Sequence, residues 1–276
     1  SPFLTSAHPN AGFPDRDGVY TQTPAQLADL MTPLMEGGLL NIVGGCCGTT
    51  PAHIAALAHA AANGTPRSKP ELFPILRLSG LESLAPVPAG KLVTIGERTN
   101  VAGSRKFARL IRENSYGQAL AIARAQIDEG AHVIDICMDD PLIDAREAMV
   151  KFLRLASADP AIAKVPFMID SSDWSVITAA LYELQGRAIV NSISLKEGPQ
   201  AFLEKARHIV RMGAAMVVML FDEQGQADTF ERKIGIARRA YHLLVDGNIC
   251  PPSSIIFDPN ILAIATGDRK STRLNS

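Results

Sequence analysis

The sequence predicts an α/β protein of parallel strand–helix units, organised as a truncated (β/α)8 barrel of the TIM type. Three observations carry this. From Leu92 onward six short apolar runs alternate with amphipathic stretches: "LVTIG", "HVIDIC", "PFMID", "AIVNSI", "AAMVVMLF" and "SIIFD". That alternation means βα units and a parallel sheet. The runs are apolar almost throughout, so both faces of the sheet are covered. No G-x-G-x-x-G follows the first run, which counts against a doubly wound dinucleotide fold.

The elements follow in order. Thr23-Pro24 reads as an N-cap with Pro at the first helical position, predicting a helix to about Glu36 that stops at Gly37 and Gly38. Pro33 predicts a kink or break within it. "LLNIV" predicts a strand, "GGCCG" a turn, and Thr50-Pro51 the start of a second helix to about Ala62. Residues 63–91 hold five of the 18 prolines and no long amphipathic pattern, so they read as an interdomain linker extended over a surface. Helices are expected from Arg105, over 116–130, 144–156, 174–185, 199–212 and 229–245. The expected organisation is a first domain at 1–62, the linker at 63–91, and an incomplete barrel at 92–267. The stretch 268–276, "DRKSTRLNS", has neither apolar period nor caps and reads as foreign to the rest of the chain.

Composition excludes several classes. The 276 residues are 47% hydrophobic and 20% charged, with 27 basic against 28 acidic side chains and a net charge of −1. Without a basic surplus there is no case for a nucleic-acid partner. No apolar run approaches the roughly 20 residues of a membrane span, and no signal segment opens the chain, so no membrane partner and a cytoplasmic location are expected. Cys46, Cys47, Cys137 and Cys250 are too few and too irregular for a disulfide framework. Adjacent cysteines rarely bridge each other.

Polar residues cluster where strands end: Glu97 and Asn100, Asp135, Asp170, Asn191, Asp222 and Glu223, Asp258 and Asn260. In a parallel barrel those ends gather on the face that holds the active site. A ring of acceptors there suits a flat ligand with several N–H donors, such as a pterin or guanine-like ring. An Asp or Asn after a strand also caps the following helix. Asp144 and Asp173 are read that way, but six positions in register weaken a purely capping account. "NVAGSRKF" opens a helix whose N–H groups, with Arg105 and Lys106, suit a carboxylate or phosphate; the alternative is a solvated first turn. Trp174 and the histidines (His8, His53, His59, His132, His208 and His242) read as structural or surface groups. Cys46 and Cys47, framed by glycines at a strand end, suggest two thiolates of a zinc site that needs a further ligand.

The motif "NIVGGCCGTTPAHI" resembles the zinc motif of homocysteine S-methyltransferase domains. "IGERTNVAGSRKF", "MIDSSDW", "IVNSISLKEG", "VVMLFDEQGQADT" and "IIFDPN" resemble the pterin-binding domain of cobalamin-dependent methionine synthases. The resemblance runs from about Ala11 to Gly267. It implies two truncated barrels: the C-terminal end of a homocysteine-binding barrel, then about six βα units of a pterin-binding barrel. It implies a methyltransferase that moves a methyl group from 5-methyltetrahydrofolate, through cobalamin, to homocysteine. Cys46 and Cys47 match two of that family's three zinc cysteines, the third being expected upstream of Ser1. Asp170, Asn191 and Asp258 match its pterin-recognising positions, and Gly103, Ser104 and Arg105 its folate-contacting loop. Asp135, Asn100 and Glu97 would line the same mouth. Methylcobalamin would be held by a cobalamin-binding domain of the same parent chain. No acid is singled out to protonate N5 of the folate, so the proton is expected from solvent and the catalytic residue is unassigned. The first zinc ligand, the last two barrel strands and the cobalamin domain have no match in these residues. The fragment is therefore expected not to turn over, and to aggregate through open edges. Three other readings remain: a dihydropteroate-synthase-like condensing barrel, a folate-binding module without chemistry, and a zinc-only homocysteine methyltransferase.

Overall fold

The computed structural model describes residues 3–71, 75–84 and 92–261. The chain forms two compact units, Ser1–Phe73 and Pro74–Ser276. The stretch 268–276 lies outside the described residues. Among the described residues no helix is long and apolar enough to cross a membrane.

In the first unit β1 (Ser6–Ala7) runs parallel to β2 (Ile42–Val43), accompanied by α1 (Pro24–Glu36) and α2 (Pro51–Ala62). Leu27, Met31 and Met35 recur every four residues along α1 and bury one stripe against Leu57 of α2. Thr23 and Gln26 close a capping box: Thr23 N–H donates to Gln26 Oε1 at 2.9 Å, and Gln26 N–H to Thr23 Oγ1 at 3.3 Å. Pro33 does not split α1, which runs unbroken through it; of the expected kink or break, the break does not occur. Pro33 sits in the last turn, and its carbonyl still accepts the Gly37 N–H at 3.0 Å. β1 is not legible in the sequence, being two residues held by pairing with β2 and by the packing of Ala7 on the apolar cluster. The described part of this unit is a strand pair with two helices, which does not show a first barrel.

The second unit begins with a hairpin of β3 (Leu78–Ser79) and β4 (Ser83–Leu84). There follow β5 (Ile95–Asn100), α3 (Arg105–Arg112), α4 (Tyr116–Asp128), β6 (Val133–Cys137), α5 (Ala145–Ser157), α6 (Pro160–Ala163), β7 (Phe167–Asp170) and α7 (Trp174–Glu183). Then come β8 (Ile189–Ile193), α8 (Gly198–Arg211), β9 (Ala215–Met219), a hairpin of β10 (Phe221–Asp222) and β11 (Gly225–Gln226), α9 (Phe230–Tyr241) and β12 (Ile255–Asp258). Six strands form one parallel sheet in the order β12-β9-β8-β7-β6-β5. This is an α/β fold consistent with part of a TIM-type barrel. α9 passes into a short π-helical segment, His242–Asp246, where the sequence pattern predicts continuous α-helix.

The two faces of the sheet divide by side-chain alternation. Ile134 and Ile136, Phe167 and Ile169, Val190, Met216 and Val218 point one way and pack with Phe107, Phe152 and Phe202 from the helices. Val133, Met168, Ile189, Ala215 and Val217 point the other way and form an apolar floor with Leu78. Leu78 belongs to the stretch read as an extended linker. Residues 75–84 instead fold back as a hairpin onto the foot of the sheet. Ser79 and Arg187 exchange backbone hydrogen bonds at 3.2 and 2.9 Å. A Cβ at Gly80 would come within 2.3 Å of Ala163 O, so only glycine allows that approach. Burying Leu78 overrides the extended conformation that the surrounding prolines suggest; residues 72–74 and 85–91 of the linker reading lie outside the described residues.

Candidate functional site

Above the apolar floor the same face turns polar. Register places Asn100, Cys137, Asp170 and Asn191 level across four neighbouring strands, with Asp135 one pleat below. Asp258, at the end of β12, occupies the same face in register with Met219 of β9. The sheet thus brings together four acceptors expected at the mouth, Asn100, Asp135, Asp170 and Asn191, and sets Asp258 on the same face three strands from Asp170.

Asn100 is the organiser. Its Oδ1 accepts the Ala102 and Gly103 N–H groups at 2.9 and 3.2 Å. That forces its Nδ2 toward the carboxyls, where it donates to Asp135 Oδ2 at 3.0 Å and to Asp170 Oδ2 at 3.3 Å. Two acidic side chains share one amide, with Asp135 only 3% exposed. Burial pushes Asp135 up to about 6; Glu97 adds to this, and the amides of Asn100 and Asn191 oppose it. Burial pushes Asp170 up to about 7, reinforced by the nearby Asp135 and Asp139 and opposed by Asn100. Asp135 Oδ1 is buried and, among the described residues, has no partner in hydrogen-bonding geometry. A buried, unsatisfied acceptor is costly unless a ligand donates to it.

The other expected residues fare differently. Asp258 Oδ1 accepts the Asn260 N–H at 2.8 Å and closes a local turn, three strands away from Asp170. Glu97 is exposed near Asp135. Ser104 Oγ is the N-cap of α3, accepting Phe107 N–H at 3.2 Å. The Gly103 and Ser104 N–H groups both donate to Asn100 O, at 3.1 and 2.9 Å. Of the expected anion cradle, these N–H groups are already committed within the loop, while Arg105 and Lys106 stand exposed. Asp222 and Glu223 do not join the ring. The β10–β11 hairpin turns them toward α9, where Asp222 pairs with Arg232 at 2.8 Å and Glu223 holds Arg239 through two bonds of 2.8 Å.

Sequence reasoning passed over two groups. Asp139 Oδ1 accepts Ser171 Oγ at 2.6 Å, and its Oδ2 accepts Ser172 N–H and Oγ, both at 2.7 Å. It thereby clamps the loop that carries Asp170. The doubled acidic pair "DD" at 139–140 was the available signal. Cys137 sits level with Asp170, and burial pushes its thiol up to about 12, so it packs as a neutral group.

In the first unit the Cys46–Cys47 turn is pinned to the segment after β1. Cys46 N–H donates to Pro9 O at 3.0 Å, Cys47 N–H to Asn10 Oδ1 at 3.1 Å, and Ala11 N–H to Cys47 O at 2.9 Å. Both thiols are exposed, with their sulfurs 3.8 Å apart. Two thiolates on one tetrahedral zinc, at about 2.3 Å each, stand roughly 3.8 Å apart. The pair therefore fits one edge of such a site. Among the described residues no group of three or more His, Cys, Asp or Glu is arranged to hold a metal.

Residues 1–61 match the homocysteine S-methyltransferase family, a minority of the chain. Among solved structures, the chain is similar to a Yersinia pestis dihydropteroate synthase crystallised with a pterine-sulfa conjugate, at 19% identity and a TM-score of 0.43 over 67% of this chain and 64% of that one. It spans less than two thirds of that protein's length. The 7,8-dihydropteroate synthase of Vibrio fischeri matches at 14% identity and a TM-score of 0.44, over 72% of this chain and 75% of that one. A Plasmodium falciparum HPPK-DHPS protein matches at 19% identity and a TM-score of 0.48, over 72% and 35%. Residues 96–275, well over half the chain and nearly the whole parallel sheet with the Asn100–Asp135–Asp170 cluster, match the family described as pterin binding enzyme, and the chain belongs to that family.

Proposed function

We propose that the chain is part of a cobalamin-dependent methionine synthase, and that its second unit binds 5-methyltetrahydrofolate. One observation carries this reading: a pterin binding enzyme match at 96–275 follows a homocysteine S-methyltransferase match at 1–61 in the same chain. A dihydropteroate-synthase-like reaction would use the same Asp and Asn positions but leaves the first match without a role.

The pterin's amino-pyrimidine edge donates N–H groups; Asp170 and Asn191 offer acceptors at one level of the sheet, and Asp135 Oδ1 offers another one pleat below. Folate N5 must gain a proton or hydrogen bond before its methyl group leaves for a corrinoid, because a neutral amine is the better leaving group. The sequence reading looked to solvent for that proton. Burial pushes Asp135 and Asp170 up to about 6 and 7, so the pair retains a proton close to neutrality; as acceptors for the amino-pyrimidine edge the two are not placed at N5, and solvent stays the proton source. In the first unit, Cys46 and Cys47 would hold zinc, which when bound lowers the pKa of a substrate thiol. Homocysteine and a corrinoid-carrying domain are the corresponding partners.

Calorimetric titration of 5-methyltetrahydrofolate into the full chain tests the reading. Asp170→Ala and Asn191→Ala are each expected to weaken binding by about 1–3 kcal/mol, the scale for leaving a buried polar group unpaired. Unchanged affinity in both variants would reduce these residues to a structural role.

A further inference from the structure

β5 holds one residue more than the length of β6 it pairs with. Ile95 and Gly96 stand opposite Val133 and Ile134, whereas Thr99 and Asn100 stand opposite Ile136 and Cys137. Three steps on one strand match two on the other, which is a bulge. Because strand side chains alternate faces, one extra residue flips every side chain beyond it. Without the bulge Thr99 would stand opposite Cys137 on the polar face, and Asn100 would point into the helix layer.

The bulge is held from behind the sheet. Arg98 N–H donates to Gln126 Oε1 of α4 at 2.6 Å. Gln126 Nε2 donates to Thr99 Oγ1 at 3.3 Å, and Thr99 Oγ1 donates to Asp135 O at 2.6 Å. Gln126 is 5% exposed and Thr99 fully buried. A Cβ at Gly96 would lie 2.7 Å from Gln126 Oε1, so glycine there leaves the amide room to reach the backbone. Gln126 thus supplies the acceptor that the neighbouring strand does not offer at the bulge.

We propose that Gln126 is a positioning residue for the pterin site: it fixes the β5 bulge and so places the Asn100 amide between Asp135 and Asp170. The ligand rests on the function proposed above; the geometry does not. Gln126→Met keeps the length and removes both hydrogen bonds. Gln126→Glu, protonated when buried, keeps one acceptor and one donor.

The first readout is ligand-free. Carboxyl carbon NMR titration of the full chain follows Asp135 and Asp170, which face Asn100 and Glu97 from β5, Cys137 from β6 and Asp139 from the following loop. The Asn100 amide holds both carboxyls down, so Gln126→Met is expected to raise both apparent pKa values by at least about half a unit. Asn100→Ala should do the same, and the double variant should add nothing, because the two act through one contact. Gln126→Glu should titrate like the parent chain. Gly96→Ala, which crowds the amide from the strand side, should mimic Gln126→Met if that variant folds poorly. Additive shifts in the double variant, or an unchanged titration in folded Gln126→Met or Gly96→Ala, would overturn the inference. The second readout is 5-methyltetrahydrofolate affinity, expected to fall at least about tenfold in Gln126→Met and to stay within about threefold in Gln126→Glu. A parent chain that binds no pterin overturns the proposed function, while the carboxyl titration still decides the role of Gln126.

Discussion

Asp135 and Asp170 make a two-carboxyl site whose charge is set by its surroundings. Both are raised above 3.8, to about 6 and about 7, chiefly by burial. The folded chain therefore holds more protons than the unfolded chain between those values. Stability from this pair is fully present below about pH 4 and is lost as pH rises through about 6 and 7. Asp170→Asn removes one of the two titrations. The variant is expected to gain stability relative to the parent as pH rises from 4.5 to 7.5, about the interval between the unfolded and folded pKa values. Urea midpoints for both proteins at the two pH values check this; a constant difference would mean that Asp170 titrates like a solvated carboxyl. The sequence made Asp135 and Asp170 visible as polar residues ending apolar runs. It ranked Asp135, Asn100 and Glu97 as secondary to Asp170; a carboxamide's importance here comes from which atoms its two ends meet. Asp222 and Glu223 looked equivalent to Asp170 in the sequence. Their arginine partners, Arg232 and Arg239, are 10 and 16 residues away and sit on the face of α9 that the hairpin meets.

The elements were legible where one local rule dominated. Apolar runs became strands, Thr23 and Asp144 became N-caps, and Asp173 capped α7 through the Ser175 N–H at 2.8 Å. The misread element was the proline-rich stretch, where residues 75–84 form a hairpin and Leu78, 6% exposed, packs among Val133, Met168 and Ile189. Nothing within ten residues of Leu78 reveals that contact. Leu78→Ala is expected to destabilise the second unit by about 2–4 kcal/mol, the cost of a core cavity. Chemical denaturation of the second unit's transition measures it. A cost below about 0.5 kcal/mol, the range of ordinary surface substitutions, would return the segment to the status of a surface linker.

At the scale of the whole molecule the proposed chemistry is divided between two units. The carboxyl cluster belongs entirely to the second, and the thiol pair entirely to the first. Cys46→Ser and Cys47→Ser are each expected to lower zinc affinity, measured with homocysteine present against a chromophoric chelator, by at least about tenfold, since each removes a thiolate ligand. Both should leave 5-methyltetrahydrofolate affinity unchanged. Zinc uptake indifferent to both substitutions would remove the thiols from the metal site.

By itself the sequence determined the α/β class, the parallel order of apolar strands, the polar residues at their ends and the adjacent thiols. Each of these depends on local pattern or side-chain type. Only the tertiary structure decided which polar residues meet. Asn100 reaches the inner face through a one-residue bulge in β5. Asp222 and Glu223 leave it through a hairpin. Leu78 closes the floor from a segment that reads as coil. In each case a contact between residues far apart in the chain outweighs the local preference, because burial and a satisfied hydrogen bond are worth more than the propensity of a few residues.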